Sequence, residues 1–188
     1  MKELIYSLDS LQTEYKKGKR YDFLFFWGHS PLPDGSISQS CLSQWWMRDF
    51  EVSGTRYSCA EQYMMAEKAR LFHDEKMLAQ IMQATSPKDM KAYGRAVRNF
   101  NEKEWETHCF RIVTVANEAK FSQNADLLNY LLGTGDKILV EASPYDQIWG
   151  IGMGKDDSNV NNPMRWRGRN LLGFALTKVR DDLLRERE

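Results

Sequence analysis

SCAEQYMMAEKARLF, residues 58–72, reads as one helix whose apolar side carries two charges. At about 100° per residue, Glu61 and Lys68 fall within roughly 20° of each other around the axis, flanked by Met64, Met65, Leu71 and Phe72. Glu67 and Arg70 take the solvent-type positions that charged residues of a soluble helix normally occupy. A carboxylate and an amine placed together in an apolar stripe need a chemical reason.

Each residue has a structural reading beside the functional one. Ser58 with Glu61 three later matches a capping box, in which the glutamate serves only to bond the N-cap amide. Lys68 can snorkel out of the stripe along its own stem. Otherwise burial lowers its pKa and supplies a neutral, nucleophilic amine, while a carboxylate near a helix N-terminus is favoured in its ionised form.

Outward from this helix, YDFLFFWG predicts a buried strand starting near Asp22, after an amphipathic opening helix over residues 1–18. HSPLPDGSISQSCLSQ is loop composition, and RDFEVSGTRYS predicts a hairpin turning at Ser53 and Gly54. Ser86 before Pro87 and Asn101 with Glu104 are helix starts, the second helix running to about Phe121. NADLLNYLLG predicts a helix closed by Gly133, KILVEAS a short strand, and GRNLLGFALTKVRDDLLRERE a final helix. Helices dominate and the few strands show no regular βαβ alternation, so the expected fold is a compact, mainly helical α+β domain spanning residues 1–188, with its core over about 22–185.

The 188 residues carry 26 basic and 26 acidic side chains, leaving no global field to attract nucleic acid or membrane. No apolar run approaches the ~20 residues of a membrane span, and the N-terminus has no signal-type core. No membrane partner is expected, and the location expected is cytoplasmic, with the nucleus as the alternative. Cys41, Cys59 and Cys109 are scattered and suit reduced thiols; with His29, His73 and His108 they show no metal-ligand spacing, so neither a metal nor a cofactor is expected.

GIGMGKDD lacks the P-loop pattern, since Trp149 and Asp156 stand where a glycine and a serine or threonine belong. Gly150, Gly152 and Gly154 still permit close backbone approach to a ligand, and Arg165, Arg167 and Arg169 lead into the last helix, where phosphate can be held. The alternative is a solvated basic cap. Six tryptophans, at 27, 45, 46, 105, 149 and 166, serve as core filling or as faces on which a base stacks; Asp146 before the loop suits a turn.

Taken as an ordered set, SCAEQYMMAEKA, YGRAVR, Trp105, YDQIWGIG and GRNLLG resemble the NADAR family over roughly Phe23 to Leu184. The resemblance implies an N-glycosidase that cleaves the bond between ribose C1 and a base nitrogen. Its implied substrates are ADP-ribosylated guanine, free or in DNA or RNA, or phosphorylated aminopyrimidine intermediates of riboflavin synthesis. A non-catalytic module that binds ADP-ribose or another ribose phosphate is the alternative of another class. The family's motif positions fall on Glu61 and Lys68, on Trp105, on Asp146 and on Asn170. The catalytic set implied is Lys68, Glu61 and Asp146; the substrate-binding set is Trp27, Gly28, Tyr63, Arg95, Trp105, Trp149, Gly150, Gly152, Arg167, Arg169 and Asn170. Some bacterial relatives carry aspartate directly after the Trp-Gly, where this chain has Ile151, so any carboxylate work there passes to Asp146 or Glu61.

Overall fold

The structure is a computed structural model and describes residues 4–187. In chain order its elements are α1 (Leu8–Lys16), β1 (Phe23–Phe26), β2 (Phe50–Val52), β3 (Thr55–Tyr57), α2 (Ala60–Leu71), α3 (Glu75–Gln83), α4 (Pro87–Arg95), α5 (Glu102–Ser122), α6 (Ala125–Gly133), β4 (Ile138–Glu141) and α7 (Leu171–Arg185), with 3-10 turns at Gln39–Leu42 and Pro163–Arg165. This is the mainly helical α+β class. The chain forms two compact units, one of Gln44–Leu128 and one of the segments on either side of it.

In the unit made of the flanking segments, β1 and β4 pair in parallel, from Phe23 opposite Ile138 to Phe26 opposite Glu141. Parallel neighbours need a long connection, and the whole of Gln44–Leu128 lies between these two strands in sequence. Helix α7 lies on β4. A side chain at Gly173 would put its Cβ 2.1 Å from the Leu139 carbonyl, so only glycine permits the approach. Thr177 Oγ1 accepts from the Leu139 amide at 3.2 Å. Arg180 is buried in this packing, and its guanidinium donates to Thr134 Oγ1 at 3.1 Å and to the Lys137 carbonyl at 2.5 Å. The opening helix covers Leu8–Lys16, with Ser7 as its cap; residues 1–3 of the expected span lie outside those described.

In the Gln44–Leu128 unit, β2 and β3 form the expected hairpin, with Ser53 (φ 50°) and Gly54 (φ 77°) both left-handed, as a two-residue turn matched to strand twist requires. Helix α2 packs against α3, α4 and α5. Ala60, Ala66 and Ala69 are fully buried on it, and Met65 lies so close over Gly94 of α4 that a Cβ there would displace its side chain. Ser86 and Asn101 cap α4 and α5 through their side chains, as their sequences predict.

Two features differ from expectation. Helix α3 follows α2 with no glycine or proline to announce it; Asp74 caps it and also receives the amide and guanidinium of Arg98. The Ser58–Glu61 capping box does not form. The N-cap is Cys59, so Glu61 stands at the second helical position instead of the third. Ser58 is held by Gln62 instead, whose Oε1 accepts from the Ser58 amide at 2.8 Å and from its hydroxyl at 3.1 Å.

Candidate active site

Glu61 and Lys68 share the α2 face that the sequence places them on. Glu61 is 6% exposed, and its own amide donates to the Gln44 carbonyl at 3.0 Å. The Gln44 side chain is held in turn by Asn117 of α5, whose amide donates to its Oε1 at 2.8 Å. Removing the capping role leaves this carboxylate in a packed wall with its charge felt by its neighbours. Burial raises the Cys59 thiol to about 11, and the Glu61 charge adds to that shift.

Lys68 is half-buried. Burial pushes its pKa below the usual lysine value, the nearby Arg95 guanidinium adds to the depression, and Glu61 partly opposes it. Its ammonium nitrogen lies 4.2 Å from the centre of the Phe100 ring and 5.7 Å from that of Trp105. These rings flank the start of α5: with Asn101 as cap, Phe100 stands just outside the helix and Trp105 at its fourth position, the spacing of a hydrophobic staple. The lysine therefore reaches a two-ring aromatic wall built by the first turn of another helix. Phe100 is absent from the sequence-based set, although the staple spacing is readable around Asn101.

Glu61, Lys68, Arg95 and Trp105 are thus connected within Gln44–Leu128. Tyr63 stands apart from them. It is 6% exposed, with its ring edge-to-face with Tyr57 at 5.0 Å and tilted towards Phe50 at 6.4 Å.

The other expected residues belong to the second unit. Asp146 Oδ1 accepts from the amides of Ile148 (2.9 Å) and Trp149 (2.7 Å), which makes it the anchor of a tight turn. After it, the Gly150 carbonyl accepts from the Asn170 amide at 3.1 Å, and the Ile151 carbonyl from the Arg167 amide at 2.9 Å. Gly152 has φ 67°, and a Cβ at Gly150 would meet the Glu141 carbonyl at 2.8 Å, so both glycines are fixed by backbone geometry. Asn170 is fully buried and left-handed; its side chain accepts from the Glu141 amide at 2.9 Å and donates to the Leu139 carbonyl at 3.0 Å. It therefore joins the loop and α7 to β4, and both ends of its amide are committed to backbone. Ile151, directly after the Trp-Gly, is fully buried and belongs to the core.

Trp149 is half-buried, and Arg167 and Arg169 are exposed, Arg167 pairing with Asp157 at 3.3 Å. Trp27 is 56% exposed at the end of β1, next to Gly28 (φ 83°), with its ring 6.0 Å from that of Tyr145. All three cysteines are buried, and none is in a disulfide among the described residues.

The model of the NADAR domain matches residues 25–184. The chain is 48% identical to N-glycosidase R617 of Acanthamoeba polyphaga mimivirus, over 75% of this chain and 86% of that one. It is 31% identical to N-glycosidase YbiA of Escherichia coli, over 73% and 77% of the two chains. The solution NMR structure of E. coli YbiA superposes with a TM-score of 0.71 at 27% identity, covering 90% of this chain and 89% of that one. By the span of the family match and the identity to these relatives, the chain belongs to the NADAR family, among N-glycosidase-type hydrolases.

Proposed function

We propose that this N-glycosidase removes ADP-ribose from guanine, with Glu61 and Lys68 carrying the reaction. Breaking a ribose to nitrogen bond builds positive, oxocarbenium-like charge at C1, which a fixed carboxylate stabilises. Glu61 suits that role because it sits in a packed wall and is not consumed as a helix cap. The neutral Lys68 amine attacks C1 as the C1–N bond breaks, and the base departs with the bonding electron pair and takes up the proton that the amine loses. Ring opening then gives an imine with the ring oxygen protonated; one water hydrolyses it, releasing the sugar and restoring the amine. The observation that carries this reading is the half-buried amine of lowered pKa on one helix face with a buried carboxylate. A module that merely binds ADP-ribose has no use for that pair.

The test offers purified protein guanine-linked ADP-ribose beside a phosphorylated aminopyrimidine riboside, detects the freed base by mass, and adds borohydride to a parallel sample. We expect release of guanine and a reduced adduct on Lys68 carrying the sugar mass. K68R, whose guanidinium stays protonated, folds but forms neither product nor adduct. Turnover of the aminopyrimidine riboside alone would move the protein to the riboflavin-type substrate. An active K68R would exclude the covalent route.

A further inference from the structure

Helix α2 has a second chemical face. A groove of about 540 Å³ lies between it, the β2–β3 hairpin and α5, and its polar wall is made of Ser53, Tyr63, Glu67, Arg70, His108 and Arg111. Neither Glu61 nor Lys68 lines it. Leu71, Ile112 and Val115 provide an apolar floor. Arg70 is already neutralised, since it donates to Glu67 at 2.5 Å and to the Tyr57 hydroxyl at 3.0 Å. Arg111 and His108, one turn apart on α5, have no hydrogen bond or ion pair to protein among the described residues, and neither has the Tyr63 hydroxyl. The Tyr63 ring is buried while its hydroxyl opens to the groove; burial, and after it the Glu67 charge, raise its pKa to about 12, and Arg70 and Arg111 partly oppose that shift.

We propose that this groove binds a phosphate group attached to a small organic body, at a site separate from the Glu61–Lys68 pair. Three donors, a phenol O–H, a guanidinium and an imidazole N–H, line the groove from two helices. A tetrahedral phosphate offers three terminal oxygens to such a set, whereas a planar carboxylate is satisfied by a single arginine fork. The volume is in the range that holds a ligand of nucleotide size, and the apolar floor accepts its base or sugar. A free nucleoside monophosphate and a phosphate of a nucleic-acid strand supply the same group. The inference stands independently of the glycosidase reading.

Titrating labelled protein with AMP, inorganic phosphate and adenosine, while following the His108 ring and Arg111 side-chain resonances by NMR, tests it. Both should move with AMP, more weakly with inorganic phosphate, and not with adenosine. R111A should weaken AMP binding by at least ~10-fold, the scale of one charge-assisted hydrogen bond, and H108A should weaken it less. Borohydride labelling of Lys68 should be unchanged in both variants, so failure here is distinguishable from failure of the proposed reaction. An unmodified single-stranded octanucleotide that displaces AMP identifies nucleic acid as the source, and one that does not identifies the free nucleotide. AMP shifts that persist in R111A, or that centre on Lys68 and leave His108 still, overturn the proposal.

Discussion

The basicity of Lys68 is set by burial and by two charged neighbours, each of known sign. Burial and Arg95 disfavour the ammonium, and Glu61 favours it, with the net effect downward from 10.5. Reactivity of Lys68 towards an aldehyde, read by reductive labelling against pH, should therefore reach its midpoint below 10.5. R95A removes a like charge and moves the midpoint up; E61Q removes an opposite charge and moves it down. One common midpoint at the ordinary lysine value in all three proteins would mean a solvated side chain. The same depression means that the folded state binds fewer protons here than the unfolded chain does between the two pKa values. The cost of burying Lys68 thus shrinks as pH rises through that window. For turnover, E61Q keeps the size of the side chain and loses its charge, so kcat should fall at least ~100-fold with melting unchanged, the scale of one preorganised electrostatic group. Near-normal kcat would return Glu61 to a packing role.

At the scale of elements, what the sequence made legible was mostly caps. Ser86 before Pro87 and Asn101 before Glu104 were sufficient for α4 and α5, because in each the cap side chain accepts from the amide three residues on. The Ser58–Glu61 pattern misled for the same physical reason: Gln62, one residue further on, offers the oxygen that holds Ser58, and the helix starts one residue later. Helix α3 was illegible because its boundary is marked by a residue acting over a distance in sequence. Asp74 caps α3 through the Met77 amide at 3.2 Å and also takes the Arg98 amide at 2.9 Å. These bonds, above all those from Arg98, hold the carboxyl well below the usual carboxylate range. Its stabilising effect is complete above the ordinary value of 3.8 and is lost as pH falls through the folded value. D74N should melt several degrees lower than the native protein near neutral pH, and the gap should close on acidification below about pH 4. A gap that stays constant to pH 2 would assign the loss to packing instead of charge.

For the whole molecule, the sequence pointed to the paired charges of α2 but could not show what their neighbours do. That Asp146 anchors a turn was legible because its bonds are local, to the amides two and three residues on, whereas that Asn170 spends both ends of its amide on β4 depends on contacts between segments distant in sequence. Charge is the property that sequence and whole chain share directly. Twenty-six positive and 26 negative side chains leave no long-range field, so a strand carrying the modified guanine gains little attraction from its other phosphates. Under the proposed activity, selection then rests on the ADP-ribosylated base and on one or two local phosphate contacts. We expect kcat/KM for the modified guanine in an oligonucleotide to lie within about tenfold of that for the free nucleotide. Between 50 and 200 mM salt it should fall by no more than about tenfold, since six to ten phosphate contacts would cost roughly 10³–10⁵. Measuring both substrates across that range decides the matter: a hundredfold fall confined to the oligonucleotide would reveal an extended basic track that the balanced total conceals, and a flat response for both would place recognition in the base and its ADP-ribose alone.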